Sequence, residues 1–233
     1  MAGVRGYRED LAYVHDAGFR DYALNAAPGL LRILRRHKVA DGLIVDLGCG
    51  SGRWAAQLTR SGYDVIGVDQ SPSMIQLARR IAPAGRFRVG SLLSIKLPAC
   101  DAITSIGECL NYCFDASNSR NALRRLFHRV YQALRAGGVF VFDIAEPDRL
   151  PKQMPRQSWF EGRDWAVLVS VSGDRKQHLP RRKIVCYRNM LRLYRTRDLL
   201  DDLARCGFKA RAINGYGRFR FPAGIGGIVA IKP

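Results

Sequence analysis

The sequence lacks the features of several protein classes. Its six cysteines form no CxxC pair and are scattered through apolar segments. No uncharged apolar run approaches the roughly 18 residues that a membrane-spanning helix needs. The opening segment MAGVRGYREDLAYVHDAGF carries charges and holds no apolar stretch of signal-peptide length. These absences argue against a zinc site, a disulfide framework and a membrane partner, and we expect reduced thiols and a cytoplasmic protein.

Acidic residues are scarce relative to basic ones. The chain has 20 Asp and Glu against 38 Lys and Arg, a net charge of +18, which keeps nucleic-acid binding open as a function. The arginines are spread over the whole chain, however, and the densest basic run, RKQHLPRRK at 175–183, contains no interleaved aromatic residue. A solvated basic surface explains this pattern better than a nucleic-acid interface.

Short apolar runs alternate with amphipathic stretches between residues 43 and 143. Strands are predicted at 43–47, 64–69, 87–90, 101–107 and 139–144, and helices at 53–62, 71–81 and 118–134. Ser71 and Pro72 suit the N-cap and the first position of the helix at 71–81. Strands that alternate with helices predict a parallel sheet covered on both faces, which is an α/β fold.

The segments around this core predict one domain over residues 1–233. Its parts are N-terminal helices at 1–41, a ligand-binding core at 42–144, an insert or cap at 145–195 and the C-terminal part of the sheet at 196–233. Two extended runs, 165–173 and 182–190, predict an antiparallel hairpin within the insert. We expect residues 1–25 to form a flap that covers one edge of the sheet together with the insert.

The stretch LIVDLGCGSG at 43–52 leads an apolar strand into three glycines, Gly48, Gly50 and Gly52. The turn after a first strand lies at the carboxyl end of the sheet, where open α/β sheets bind ligands. Asp69 ends the next strand, and a carboxylate there can accept both hydroxyls of a ribose. A P-loop is excluded because no GK[ST] follows, and Arg53 occupies the position where a dinucleotide motif needs a small residue. Asp46, just before the loop, suits a cationic ligand.

VDLGCGSG followed by VIGVDQSPSMIQLAR resembles the class I S-adenosylmethionine-dependent methyltransferases, and the similarity continues through CDAITSIGECLNY and LRAGGVFVFDI. LAYVHDAGFRDYA and YGRF are similar to segments of bacterial small-molecule members. The resemblance implies a Rossmann-like doubly wound sheet, mostly parallel with an antiparallel C-terminal strand. It also implies S-adenosylmethionine as the cofactor.

The resemblance further implies a set of cofactor contacts. Asp46 would lie near the ammonium group of the ligand, and Asp69 would take the ribose hydroxyls. The implied cofactor-binding residues are Asp46, Gly48, Cys49, Gly50, Gly52, Asp69, Gln70, Met74, Ser91, Leu92, Ile106, Gly107 and Glu108. Ser91 stands where the family usually places an acid beside the adenine, so backbone groups or Ser91 itself would have to serve.

Methyl transfer requires a dry, aligned pocket, and a hydroxyl or ammonium acceptor also requires a base. His15 in the flap is the candidate catalytic base, with a packing or surface role as the alternative. Glu108 is expected to pair with the cofactor's ammonium rather than act as a base. Asn111 and Tyr112 are candidate substrate-binding residues, and core packing is the alternative for Tyr112.

Two further sets of side chains invite a functional interpretation. Trp159 and Trp165 in the insert are candidates for stacking on a flat acceptor. Cys109 and Cys113 have helical i, i+4 spacing, but no histidines or acids accompany them, so apolar filling explains them better than a metal site.

The sequence therefore predicts an enzyme that transfers a methyl group from S-adenosylmethionine to a small-molecule acceptor by in-line displacement. An RNA methyltransferase is one alternative because of the positive charge, although GECLNY lacks the [DNS]PP[YFW] segment of base N-methylating relatives. A non-catalytic S-adenosylmethionine-binding protein is the other, because binding and catalysis need the same glycines. No feature indicates an obligate protein partner.

Overall fold

The computed structural model describes residues 9–113, 115, 117–147, 156–161, 166–174, 179–184, 187–190 and 192–233. Its helices are α1 Glu9–Phe19, α2 Asp21–Arg36, α3 Arg53–Arg60, α4 Pro72–Ile81, α5 Arg120–Ala133 and α6 Thr196–Arg205. Its strands are β1 Leu43–Leu47, β2 Asp64–Asp69, β3 Arg86–Val89, β4 Cys100–Ser105, β5 Leu134–Ala145, β6 Arg156–Glu161, β7 Ala166–Asp174, β8 Leu179–Ile184, β9 Tyr187–Met190, β10 Lys209–Ile213, β11 Gly215–Tyr216, β12 Phe219–Arg220 and β13 Ile225–Ile231. Within these described ranges, no helix combines the length and apolar character that crossing a bilayer requires.

Seven strands form the central sheet, in the order β10-β13-β5-β4-β1-β2-β3. The strands from β5 to β3 pair in parallel. β13 runs antiparallel to both of its neighbours, β5 and β10. The prediction of a mostly parallel sheet with an antiparallel C-terminal strand is confirmed.

Alternate residues of β1 pack against opposite layers of helices. Val45 and Leu47 belong to the core cluster that includes residues of α5 and α6. Ile44 belongs to the cluster that includes residues of α2, α3 and α4. Successive side chains of a strand point to opposite faces, so a strand covered on both sides is apolar throughout. This double burial explains why the predicted strands at 43–47 and 64–69 agree with β1 and β2 at both ends.

Serine side chains fix where two helices begin. Ser71 Oγ accepts a hydrogen bond from the Met74 backbone N–H at 3.1 Å, and Pro72 follows in the first helical position. Ser119 Oγ accepts from the Ala122 N–H at 3.2 Å. These bonds satisfy donors that the first turn of a helix leaves without a backbone partner. The helices predicted at 71–81 and 118–134 are confirmed as α4 and α5.

The antiparallel insert is larger than the predicted hairpin. β6, β7, β8 and β9 form a four-stranded antiparallel sheet. The run predicted as one strand at 182–190 divides into β8 and β9, because the chain direction reverses between Ile184 and Tyr187, which pair across the two antiparallel strands. No glycine, proline or asparagine marks that reversal in the sequence, so the pattern gave no turn signal. Residues 148–155 and Trp165 lie outside the described part of the chain.

Candidate active site

A cavity of about 550 Å³ lies at the carboxyl ends of β1, β2 and β4. Its size is within the usual range for small-molecule sites. The glycine loop, the ends of these strands, α1 and the insert sheet all contribute to its wall. Most of the predicted cofactor-binding residues line it: Asp46, Gly48, Cys49, Gly50, Asp69, Gln70, Met74, Leu92, Ile106, Gly107 and Glu108.

The three glycines of the loop have different roles. All three have positive φ, at 77° for Gly48, 53° for Gly50 and 79° for Gly52. A Cβ added at Gly48 would lie 2.5 Å from Cys109 Sγ, and one at Gly52 would lie 2.9 Å from Ala78 Cα. A Cβ added at Gly50 would meet no protein atom of the described residues within 4 Å. Gly50 therefore leaves bare backbone beside the cavity, whereas Gly52 permits close packing of α3 on α4 and is absent from the cavity lining.

Asp69 joins the end of β2 to the glycine loop. Its Oδ2 accepts a hydrogen bond from the Gly50 N–H at 3.0 Å, and its Oδ1 accepts one from the Ser71 N–H at 2.8 Å. Burial raises the pKa of Asp69, and these backbone bonds oppose the rise. A carboxylate offers about four lone-pair sites, so acceptor capacity is left for sugar hydroxyls.

Asp46 is a buried carboxylate beneath the loop. The Thr104 hydroxyl donates to its Oδ1 at 2.8 Å, and the Trp54 indole N–H donates to Thr104 Oγ1 at 3.1 Å. Burial, reinforced by the negative charge of Asp69, raises the pKa of Asp46 to about 7 against the opposing Thr104 bond. A cation beside Asp46 would favour its ionised form. The ionised form is the one that the predicted contact with a positively charged ligand requires.

The turn after β4 is held by a carboxylate that the sequence analysis did not single out. Asp143 on β5 accepts hydrogen bonds from the Gly107 N–H at 2.8 Å and from the Glu108 N–H at 2.5 Å. Glu108 is a non-glycine residue with φ of 55°, a left-handed conformation that costs on the order of 1 kcal/mol. Strained residues of this kind cluster at functional sites, and Glu108 is buried and lines the cavity.

Two tyrosines from distant segments also bind Asp143. The Tyr216 hydroxyl donates to Oδ2 at 2.9 Å, and the Tyr22 hydroxyl lies 3.2 Å from the same oxygen. Burial raises the pKa of Asp143 to about 6 despite the hydrogen bonds from Glu108, Gly107 and Tyr216. The flanking segments LAYVHDAGFRDYA and YGRF thus meet at one buried carboxylate. An acid inside the apolar strand VFVFDI was the signal that could have revealed it.

α1 is attached to the glycine loop by Asp16. This carboxylate accepts hydrogen bonds from Ser51 Oγ at 2.6 Å, from Arg53 Nε at 2.8 Å and from Arg53 Nη2 at 2.6 Å. Burial opposes ionisation of Asp16, but the bonds from Arg53 and Ser51 outweigh it and lower the pKa of the carboxyl. His15, the neighbouring residue on α1, lines the cavity. The arginine that argued against a dinucleotide site therefore holds this helix over the loop.

Two predicted contacts, those of Asn111 and Ser91, are placed differently by the structure. Asn111 is buried with no exposed surface, and its amide bonds the backbone of Ala145 and Arg192. It therefore ties the turn after β4 to its neighbours instead of making the predicted substrate contact. Ser91 is outside the cavity lining, and its hydroxyl donates to Asp115, which lines the cavity. Tyr112 lines the cavity as expected.

Among the described insert residues, the aromatic side chain that lines the cavity is Phe160. Ser158 and Phe160 on β6 line the cavity, and Trp159 between them is absent from the lining and 60% exposed. Strand alternation thus turns Trp159 away from the position predicted for acceptor stacking. Cys109 packs under the loop, with Sγ 3.2 Å from the Ile106 carbonyl oxygen, which agrees with a filling role.

Comparison with known proteins agrees with this geometry. Residues 44–138 match the methyltransferase domain family. A protein named as a methyltransferase in Geobacillus sp. (strain WCH70) is 30% identical over 106 residues, which cover 43% of this chain and 41% of that protein. The S-adenosylmethionine-dependent methyltransferase from Clostridium acetobutylicum ATCC 824 has a TM-score of 0.79 at 16% identity, covering 95% of this chain and 97% of that chain. Residues 44–138 therefore match a methyltransferase domain, and the fold around them is that of the class I S-adenosylmethionine-dependent methyltransferases.

The chain spans half or less of the length of the curated relatives it matches. Over nearly its full length it shares its fold with the sugar N-methyltransferase from Streptoalloteichus sp. ATCC 53650, with a TM-score of 0.77 at 20% identity. That likeness covers 100% of this chain and 95% of the other. The predicted superfamily, and S-adenosylmethionine as the cofactor of that superfamily, are confirmed.

Proposed function

We propose that this methyltransferase transfers the methyl group of S-adenosylmethionine to a small-molecule acceptor held between the glycine loop and the insert. The observation that carries the proposal is the composition of the cavity. Bare backbone at Gly50, the carboxylates of Asp46 and Asp69, and side chains of α1 and the insert all line one cavity. A nucleoside cation and a second small molecule fit such a space.

The residues present suit the cofactor. Asp69 would hold the ribose hydroxyls, Gly50 would allow the ligand to approach the backbone, and Asp46 would lie near the positive charge. Glu108, held in its turn by Asp143, would pair with the ammonium group. When bound, S-adenosylmethionine supplies an already activated methyl group, so the protein's main task is alignment in a water-poor pocket.

The acceptor side of the cavity is supplied largely by the insert. Val167, Val169 and Val171 alternate along β7, so their side chains share the face that lines the cavity. Val171 also packs against the small cluster of Ala145 and Leu193. The described insert residues of the lining carry no charge: Ser158, Phe160, Val167, Val169, Val171 and Leu193. This wall favours an acceptor with an apolar face, and the fold's likeness to a sugar N-methyltransferase supports a small molecule.

His15 is the proposed general base. It lies on α1, lines the cavity and is held over the loop by the adjacent Asp16 contacts. A base in this position would remove a proton from a hydroxyl or ammonium acceptor as the methyl group is transferred. Loss of such a base costs about 10²–10⁴-fold in rate.

The experiment measures cofactor binding by calorimetry and S-adenosylhomocysteine formation with panels of amino sugars, aromatic alcohols and amines, and with tRNA. We expect binding in the wild type, a loss of at least about tenfold in affinity in Asp69→Ala, and turnover with a member of the small-molecule panels. Asp101→Ala is the matched control, because Asp101 also accepts a backbone N–H, from Leu43 at 2.8 Å, and is not part of the cavity lining.

Three results would count against the proposal. Unchanged affinity in Asp69→Ala would remove the ribose assignment. Methylation of tRNA that small acceptors do not inhibit would favour the RNA methyltransferase. An undiminished rate of methyl transfer in His15→Ala, with His37→Ala as control, would show that His15 is not the general base.

A further inference from the structure

The carboxylate of Asp115 lies where two strand ends meet the cavity. Gln70, which follows β2, donates from Nε2 to Asp115 Oδ2 at 2.6 Å. The hydroxyl of Ser91, which follows β3, donates to the same oxygen. Gln70 and Asp115 both line the cavity. Asp115 itself comes from the segment after β4, so a carboxylate reaches the end of β3 from another part of the chain.

The strand order decides which part of a nucleoside can reach Asp115. Asp46 belongs to β1 and Asp69 ends β2, and β3 lies on the other side of β2. Under the proposed function, the amino-acid part of the cofactor lies near Asp46 and the ribose at Asp69. The base must then extend toward the end of β3. Gly90 and Leu92, which follow β3, line the cavity there.

The chemistry of Asp115 suits a hydrogen-bond donor. Burial opposes its ionisation, but hydrogen bonds from Ser117, Ser91 and Gln70 outweigh burial and lower the pKa of the carboxyl. An ionised carboxylate accepts hydrogen bonds only. Two of its present partners, Ser91 and Ser117, are hydroxyls that can rotate to other acceptors. An amino group of a ligand can then donate a hydrogen bond to the carboxylate lone pair that such a hydroxyl leaves free.

We propose that Asp115 is the acceptor that recognises the exocyclic amino group of adenine. It supplies, from the segment after β4, the acid that is absent at Ser91. This assignment rests on the proposed function, because it takes the ribose position at Asp69 as given. It makes Asp115 a residue that selects adenine over hypoxanthine, in which a keto oxygen replaces the amino group.

Calorimetry with S-adenosylhomocysteine and S-inosylhomocysteine tests the assignment. The wild type should bind the adenine compound at least about tenfold more tightly, because the keto oxygen would face a carboxylate. Asp115→Asn should reduce this ratio to about threefold or less, since an amide can donate to the keto oxygen as well as accept. Asp115→Ser is measured in parallel in case the first variant does not fold. Asp101→Asn, a carboxylate change outside the cavity lining, should leave the ratio unchanged.

A rescue variant separates direct recognition from a packing role. Ser91→Asp in the Asp115→Asn background returns an acid to the end of β3 and should restore the preference for the adenine compound. An unchanged ratio in both Asp115 variants, or a wild type that binds both compounds equally, overturns this inference alone. A wild type that binds neither compound overturns the proposed function as well.

Discussion

Asp16 on α1 and Arg53 at the start of α3 are joined by two parallel hydrogen bonds, at 2.8 Å from Nε and 2.6 Å from Nη2. A forked guanidinium–carboxylate pair of this kind fixes direction as well as distance. The pair, together with Ser51, attaches the helix that carries His15 to the loop that would hold the cofactor. Release of the cofactor should therefore be coupled to opening of this contact.

Arg53→Lys should accelerate release of S-adenosylhomocysteine by about tenfold. Lysine keeps the charge but offers no fork, so one of the two bonds to Asp16 is lost. Stopped-flow displacement measures the rate. Arg135→Lys is the control, because Arg135 pairs with Asp101 and neither residue is part of the cavity lining. Equal release rates in the two variants would show that α1 does not limit exit.

Gly50→Ala should abolish tight cofactor binding while the protein remains folded. Its added methyl group would stand in open space beside the cavity, where the ligand must approach the backbone. The positive φ of 53° adds a strain cost of about 1 kcal/mol. Gly137→Ala provides a matched control, since Gly137 has φ of 77° and equally open surroundings but is absent from the cavity lining.

Calorimetric binding should then separate the two glycine variants, whereas thermal melting should not. Both variants should lose similar stability, and only Gly50→Ala should lose affinity, by at least about tenfold. Comparable affinity in the two variants would mean that the bare backbone at Gly50 does not contact the ligand.

The strands of the core could be predicted because local patterns determine them. β1 and β2 are short apolar runs bounded by glycine and aspartate, and burial on both faces leaves little freedom in where they end. The insert was less predictable, because β8 and β9 meet without a turn residue. The sequence pattern therefore predicts the strands of the parallel sheet, whereas it does not predict the chain reversal between Ile184 and Tyr187.

The residues of the candidate cofactor site were predictable where a motif carries them, and unpredictable where contacts are long-range. Gly50 and Asp69 lie in consecutive strand-end segments of one motif. Asp115 reaches Gln70 across 45 positions of the sequence, and Asp143 reaches the Gly107 N–H across 36. No local pattern connects such pairs. Only the order of the strands brings them together, so the sequence pattern predicted no role for either carboxylate.

Tyr216→Phe should destabilise the protein by roughly 1–3 kcal/mol, because it removes a donor from the buried carboxylate of Asp143. The pKa of Asp143, about 6, lies above the ordinary carboxyl value of 3.8. Its contribution to stability is therefore fully present below the ordinary value and is lost as the pH rises through 6. Loss of the Tyr216 bond raises the pKa of Asp143 further, so the penalty should grow between pH 5 and pH 8.

Denaturant melts at these two pH values measure the effect. Tyr63→Phe is the control, because the Tyr63 hydroxyl is also buried but donates to a neutral group, the Val39 carbonyl oxygen at 2.7 Å. Its penalty should not change over the same range. A pH-independent penalty in Tyr216→Phe would contradict the role assigned to Asp143.

Affinity for S-adenosylmethionine should rise as the pH is raised from 5.5 to about 7 and level off above. Burial holds the pKa of Asp46 at about 7 in the free protein, and a cationic ligand binds its ionised form. Below pH 7 the carboxyl must first release its proton, so affinity should fall by up to about tenfold per pH unit. Calorimetry in buffers of different ionisation enthalpy should also detect the released proton.

Asp46→Asn separates this group from others that titrate in the same range. The variant should bind weakly and without the pH dependence, because the amide carries no charge. Its free energy of unfolding should exceed that of the wild type by about 1 kcal/mol or more at pH 8, and this difference should be smaller at pH 5. The reason is that the raised pKa of Asp46 means its contribution to stability is lost as pH rises through 7. A variant that binds S-adenosylmethionine as tightly as the wild type at pH 8 would show that Asp46 does not face the cation.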